Sequence, residues 1–482
     1  MAIWDWNAWQ WLALIQHELL LFAGIFFLIG ALDDLGIDLC WLWLRLTGRV
    51  STPAISREEL GKAELHGPAA IFIPAWREAN VIADTIAHML ATWPQENLRL
   101  YVGVYRNDPA TLEAAMRGAP GDARLRLVIH DREGPSTKAD CLNRLYGAMC
   151  ADEQRIGRRF AFVLFHDAED MVDQAALGLL DETIASGADF AQLPVEPLPQ
   201  SGRHWLGSHY CEEFAEAHGK ALVVRDAMGA AIPAAGVGCA VSRMALDHLC
   251  HGRGKDAPFE PESLTEDYEL GLTIAGNGGS CRFVRARGED GSLVATRAFF
   301  PSRLDHVVRQ KTRWVHGIAL QGWDRIGWSG GGFETWMRAR DRRGPLTALV
   351  LLMGYTLLLL TIFAWSASSL GWSEAQPLSP MLAALLIANL TFFIWRAISR
   401  FAFTARNYGV GQGLLAVLRI PVTNVVAIIA GRRAVTAYAK TLLGKAIEWD
   451  KTPHHRHPVP AGRGPDKPPA KAPFTAGAQV AS

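Results

Sequence analysis

The stretch FVLFHDAEDMV, residues 162–172, decides how this chain is read. The run from Phe160 to Phe165 is apolar and the length of one buried strand, and it leads straight into His166, Asp167, Ala168, Glu169 and Asp170. Carboxylates packed this closely repel one another unless positive charge sits among them, and Asp167 and Glu169 point the same way if the backbone stays extended. A divalent cation meets that need. Ligands that are all oxygen favour Mg²⁺ or Mn²⁺, ions that keep positions open for substrate phosphates. An isolated D-x-E would read as a solvated acidic turn; the surrounding chain changes that reading.

Between about 65 and 300, short apolar runs alternate with amphipathic stretches, the pattern of an α/β unit with a mostly parallel sheet flanked by helices. Ala69–Pro74, Leu98–Tyr105, Leu125–Ile129 and Phe160–Phe165 are the first four expected strands. One helix is expected to end near Trp93, and another to start after an N-cap at Ser136 or Thr137. Glu78, Asp108, Lys138, Asp167 and Glu169 all fall just past the carboxyl ends of these strands, the edge where open α/β sheets bind ligands. The first strand is not followed by G-x-G-x-x-G and the chain has no P-loop motif, so dinucleotide and P-loop readings lose their main support. Phosphate handling then falls to the metal and to basic side chains, Lys138 foremost.

Half the residues are hydrophobic and 20% are charged, which leans towards a membrane protein with a sizeable soluble part. Lys plus Arg and Asp plus Glu each number 48, so net charge makes no case for a nucleic-acid partner. The 7 cysteines are scattered and form no C-x-x-C pair, which indicates neither a zinc site nor a disulfide framework. Trp11–Ala31 is long enough to cross a bilayer with Glu18 as its one formal charge, and Leu346–Leu370 and Leu378–Trp395 read as a hairpin joined by GWSEAQP. Arginines at 45, 49 and 57, at 338, 340, 342 and 343, and at 396, 400 and 406 place the middle of the chain in the cytoplasm by the positive-inside rule. Val410–Gly431 carries Arg419 and Pro421 near its centre, so an interfacial or re-entrant helix is expected there, touching membrane lipids. The expected division is an N-terminal membrane helix in 1–45, a cytoplasmic domain in 46–330, a membrane region in 331–450 and a disordered tail in 451–482.

Two later motifs add to the site. In LTEDYELG, 264–271, Thr265 can cap a helix running to about Ala275, with Glu266 and Asp267 in its first turn. Such acids suit a helix dipole; in a cleft beside bound phosphate, Asp267 could instead take a proton from an attacking hydroxyl. In FFPSRLDHVVRQKTRW, 299–314, Ser302 and Asp305 make an approximate capping box. Gln310, Arg313, Trp314 and Gly317 follow at i, i+3, i+4, i+7 spacing, offering an amide, a planar cation and an aromatic wall on one face.

In this order and between apolar spans, Asp108, DAED at 167–170, TED at 265–267 and QKTRW at 310–314 resemble the processive family-2 inverting glycosyltransferases, which include cellulose, chitin and hyaluronan synthases. NDPAT at 107–111, HDAED at 166–170, RDRRGPL at 340–346 and WDKTPH at 449–454 resemble the bacteriophage adsorption protein B group of bacterial inner-membrane glycosyltransferases. The resemblance spans about 65 to 455 and implies a GT-A fold. It also implies that Glu78 and Asp108 hold the nucleoside and Lys138 lies near the diphosphate. Asp167 with Glu169 or Asp170 would bind Mg²⁺ or Mn²⁺, Asp267 beside Glu266 would be the base, and Gln310, Arg313 and Trp314 would bind the donor diphosphate and the acceptor end. The implied activity moves a sugar from a nucleotide-sugar, expected to be a UDP-sugar, to a growing cell-surface or exopolysaccharide chain at the inner membrane. With so few spans, an outer-membrane or periplasmic export partner is expected. Transfer of one sugar to a lipid carrier, or a phage-receptor or export scaffold with a vestigial site, are the alternatives. The chain departs from the synthases in its D-A-E-D metal motif and in Asp140, where they often have Gly. Longer members of the adsorption-protein group carry a C-terminal domain that binds a cyclic dinucleotide, and this chain is expected to end too early to hold one.

Overall fold

The structure, a computed structural model, describes residues 6–200, 205–328, 330–372, 378–444 and 457–458. WDKTPH, most of GWSEAQP and all of the expected tail except His457 and Pro458 lie outside the described residues. Among the described residues nine strands form: β1 (Ala69–Pro74), β2 (Leu98–Tyr105), β3 (Leu125–His130), β4 (Phe162–Phe165), β5 (Phe190–Gln192), β6 (Val195–Pro197), β7 (Cys239–Ser242), β8 (Cys281–Phe283) and β9 (Thr296–Ala298). Seven of them make one sheet in the order β3-β2-β1-β4-β7-β5-β8, and β6 pairs with β9 in a small parallel ribbon. β7 runs antiparallel to both β4 and β5, while the other pairs of the large sheet are parallel, so the sheet is mixed but mostly parallel as expected.

The sequence explains why β1 sits near the middle. Ala69, Ala70, Ile71, Phe72 and Ile73 are all fully buried, the signature of a strand covered on both faces. Ile71 and Ile73 face one core with Ile82, Ile86 and Met89 of the Ile82–Thr92 helix, while Ala70 and Phe72 face the other with Leu142, Leu145 and Met149 of the Lys138–Ile156 helix. Each fully buried Ile or Phe side chain contributes about 1.5–3 kcal/mol. Gly103 on β2 lets the second helix come close, since an added Cβ would lie 2.6 Å from Cys141 Sγ. The β1, β2 and β4 ends therefore open on one edge.

Among the described residues, four helices are long and apolar enough to cross a membrane: Ala8–Leu46, Gly344–Ser369, Pro380–Tyr408 and Ile420–Leu442. The first is 39 residues, far longer than its apolar run, and past that run it carries Asp33, Asp34 and Asp38 into a charged seam. Arg340 and Arg343 each place an Nη within 2.9 Å of Asp34, Arg396 Nη1 lies 2.6 Å from Glu216, and Lys220 pairs with both Asp38 and Glu216. These pairs tie the first and third apolar helices to the Gly332–Arg342 helix and to the helical segment 209–221 of the α/β unit.

The apolar stretch 410–431 is divided. Val410–Leu418 and Ile420–Leu442 are separate helices that meet at Arg419, which is 1% exposed and pairs with fully buried Glu212 at 2.9 Å. The arginine that looked costly in lipid finds its counter-charge in the α/β unit. Ile420–Leu442 packs against the Leu304–Trp314 helix through Val426, Val307 and Val308, and Tyr438 donates to Asp324.

Candidate active site

The ends of β1, β2 and β4, the start of the Glu266–Gly276 helix and the end of the Leu304–Trp314 helix enclose one cleft, about 1240 Å³ of empty space with its open mouth included. Glu78, Lys138, Asp167, Glu169, Asp170, Glu266, Asp267, Gln310, Arg313 and Trp314 all line it. Asp108 does not. Its carboxylate accepts from Thr111 N as the N-cap of the Pro109–Gly118 helix and from Arg77 N at 2.5 Å, where Arg77 has φ +56. Asp108 thus pins the turn that presents Glu78, a positioning task.

Thr137 accepts from Asp140 N and starts the helix that brings Lys138 into the cleft. Lys138 Nζ lies 2.6 Å from Asp167 Oδ1 and donates to Gly236 O at 3.4 Å. Burial opposes its charge, but Asp167, Glu266 and Asp267 outweigh that and hold the ammonium firmly protonated. Asp140, the departure from the synthase pattern, turns away: its Oδ2 is 3.0 Å from His130 Nε2.

Within the acidic turn the carboxylates differ. Asp170 is 1% exposed, and its Oδ2 accepts from Asp167 N at 3.0 Å and lies 2.8 Å from His166 Nδ1. Burial raises its pKa while His166 works the other way. Among the described residues no three His, Cys, Asp or Glu side chains already converge as a ready metal cage.

Glu266 and Asp267 open the Glu266–Gly276 helix as expected, but Thr265 forms no side-chain cap and its Oγ1 is buried without a hydrogen bond among the described residues. The reason is packing: Gly317 rests on Thr265, so close that an added Cβ would sit 2.5 Å from its Cγ2. Burial and the charge of Asp267 push Glu266 up to about 8, with Lys138 and Arg313 pulling the other way. Burial raises Asp267 too, and Lys138 opposes it. Asp267 Oδ1 accepts from Tyr268 N at 2.7 Å, and Gly236, at φ +80, leaves room for Oδ2 where a Cβ would lie 2.5 Å away.

The expected capping box at Ser302 and Asp305 is not formed: Arg303 is the N-cap and makes no side-chain cap bond. After Trp314 the helix widens into a π-helical segment, Val315–Gln321, so Gly317 leaves the regular spacing and packs on Thr265. Tyr210 donates to Gln310 Oε1 at 2.6 Å and meets Trp314 edge-on. Trp76, Tyr105, Phe214 and Phe300 also line the cleft and were not singled out by sequence reading; scattered aromatics ahead of helices carry no signal until the fold gathers them.

A family model described as glycosyltransferase like family 2 matches residues 66–317, just over half the chain and the whole of this cleft up to Gly317. The chain belongs to that family. Its GT-A fold is the one described above. Bacteriophage adsorption protein B of Escherichia coli (strain K12) is 31% identical over 470 residues, 92% of this chain and 62% of the relative, and bacteriophage N4 adsorption protein B of Escherichia coli O157:H7 matches to the same extent. This family-2 chain therefore spans less than two thirds of the length of those curated relatives. Among solved structures, a mannosyltransferase from Pyrobaculum calidifontis in complex with GDP-Man and Mn²⁺ is similar at 15% identity over 85% of this chain and 98% of that one, with a TM-score of 0.48. A glucosyl-3-phosphoglycerate synthase from Mycobacterium tuberculosis is similar at 19% identity over 59% of this chain and 88% of that one, with a TM-score of 0.36.

Proposed function

We propose that this chain is a membrane-bound inverting glycosyltransferase that moves a sugar from a nucleotide-sugar, in our reading a UDP-sugar, to a growing cell-surface or exopolysaccharide chain at the cytoplasmic face of a bacterial inner membrane. The observation that carries this reading is that the Glu266–Asp267 pair shares one cleft with the Lys138–Asp167 pair and with Gln310, Arg313 and Trp314. An acid that can act as base, cations suited to a diphosphate and an aromatic wall for a sugar stand around one space.

The oxygen donors of Asp167 and Glu169 fit a hard divalent cation, and Asp170, occupied by His166 and by Asp167 N–H, is better placed to hold the turn than to bind metal. Mg²⁺ or Mn²⁺ held by Asp167 and Glu169 would supply positive charge against the leaving diphosphate. Lys138 and Arg313 add fixed cations for the same phosphates, while Glu78 and the Trp76–Tyr105 pair border the donor end. Asp267 takes the proton from the acceptor hydroxyl as its oxygen bonds to the anomeric carbon; the bond to the diphosphate oxygen breaks on the opposite face, which inverts the centre. Tyr210 holds Gln310 in place at the acceptor side.

The test is release of UDP by the detergent-purified full chain from a panel of UDP-sugars with Mg²⁺ or Mn²⁺, with Asp267→Asn alongside. Release from one donor that disappears in the variant supports the reading. Release that persists in Asp267→Asn, or silence across the panel in native membranes as well as detergent, counts against it. A product of one sugar on a lipid would replace the polymer acceptor with a lipid carrier.

A further inference from the structure

Four arginines that do not line the cleft meet at the joint between the α/β unit and two of the apolar helices. Arg45 stands at the end of the Ala8–Leu46 helix, Arg406 in the last turn of Pro380–Tyr408, and Arg285 and Arg287 just after β8. Hydrogen bonds place Arg285 and Arg287 beside the segment that follows Arg45 and beside the residue after Arg406. Arg287 Nη2 donates to Asn407 Oδ1 at 3.4 Å, beside Arg406, and its backbone is bonded on both sides to the 53–55 strap that follows Arg45 in the chain, with Arg287 N donating to Pro53 O at 2.9 Å and Ile55 N to Arg287 O at 2.8 Å. Arg285 Nη1 donates to Thr52 Oγ1 on the same strap at 2.7 Å.

The cluster is short of negative charge. Among the described residues none of the four takes part in an ion pair, and the acids whose charges act on Arg287 are engaged elsewhere: Glu196 accepts from Arg297 Nε at 2.8 Å and Asp290 from Arg57 Nη1 at 2.6 Å. The Nε atoms of Arg285 and Arg287 are buried with no hydrogen-bond acceptor among the described residues. Burial, followed by the charges of Arg287, Arg406 and Arg45, pushes Arg285 down to about 9. Neighbouring guanidiniums with buried donors idle are costly unless an anion joins them, and the planar fork of arginine matches phosphate oxygens two at a time.

We propose that Arg45, Arg285, Arg287 and Arg406 form a second anion site, separate from the cleft, for a soluble phosphate-bearing ligand. Its position favours a solute over a lipid headgroup, a step that rests on the apolar helices crossing a membrane. Arg45 lies 14 residues beyond Ala31, the end of the first apolar run, or about 21 Å along the axis. Arg406 lies 11 residues beyond Trp395, or about 17 Å. The headgroup layer adds only about 5–8 Å beyond the hydrocarbon, and a tilt of about 40° leaves both residues past it. A bound phosphate there would fasten the segment after β8 to both helices.

The experiment uses the full chain in detergent and inorganic pyrophosphate as probe, read by calorimetry. Arg313→Ala first weakens the cleft's own diphosphate contacts; binding that persists in that background is expected, and adding Arg285→Gln and Arg406→Gln is expected to weaken it at least tenfold. Failure of the proposed transferase reading would show only in the part that depends on Arg313, so the two proposals fail separately. No persisting binding, or persisting binding unmoved by the two added changes, overturns the second site. If the combined variant does not fold, Arg406→Gln alone, at an exposed position, is read by the same criterion. Association of these arginines with phosphatidylglycerol vesicles but not with pyrophosphate assigns the site to lipid and overturns the soluble ligand.

Discussion

Lys138 Nζ lies 2.6 Å from Asp167 Oδ1, so a helix start and a strand end that are 29 residues apart in sequence meet as an ion pair at the floor of the cleft. The pair makes Asp167 both the proposed metal ligand and the anchor of the lysine proposed to face phosphate. Replacing Asp167 with Asn should therefore raise the Mn²⁺ or Mg²⁺ concentration needed for half-maximal UDP release, at least tenfold. Chelation with EDTA should stop turnover, and added Mn²⁺ should restore it; release that continues in EDTA would remove the metal from the proposal.

Asp267→Asn should lower kcat about a hundredfold to ten-thousandfold, the usual weight of a positioned base. Donor affinity, measured by UDP binding, should change little. A rise in KM with kcat unchanged would make Asp267 a binding residue.

The pH profile separates the two acids. Asp267 works as a base only when ionised, and burial raises its pKa, so the acid limb of kcat/KM should lie above the ordinary carboxylate range near 4. Lys138→Met removes the cation that pulls Asp267 back down and should move that limb to higher pH. Glu266 is neutral below about 8 and ionises above it beside Asp267 and the phosphate subsite. Donor KM should then rise above pH 8 in the native chain and stay flat in Glu266→Gln.

Tyr210→Phe removes the O–H that Gln310 Oε1 accepts at 2.6 Å. The loss of one such bond costs about 0.5–1.5 kcal/mol, and here it should appear chiefly in acceptor KM, with UDP affinity unchanged. An equal loss in donor binding would place Gln310 on the donor side.

Arg419→Leu should destabilise the fold by about 3–5 kcal/mol, because Glu212 at 0% exposure would be left buried without its partner. Arg419→Leu combined with Glu212→Leu should recover part of the loss. A thermal-melting series in one detergent reads both outcomes.

Sequence patterns read locally reached far into this protein. The first four strands, the helix behind Thr137, the acidic turn and the Glu266–Asp267 helix start were legible because periodicity and end signals act within a few residues. The capping roles of Thr265 and Ser302 were misjudged, since a cap competes with whatever packs on it, and Gly317 came from 52 residues away to rest on Thr265. Asp108, given a donor role by resemblance, does not line the cleft, and its carboxylate accepts from Arg77 N.

By itself, the sequence determined the alternating α/β plan, the edge at which the acids gather and the apolar helices on either side, because burial on one face or two writes a periodicity into the chain. Tertiary structure alone decided which charges meet. Lys138 with Asp167, Arg419 with Glu212, and the arginines at 45, 285, 287 and 406 are brought together across long stretches of chain, and Coulomb energy depends on distance in space and local burial, neither of which leaves a pattern in residue order.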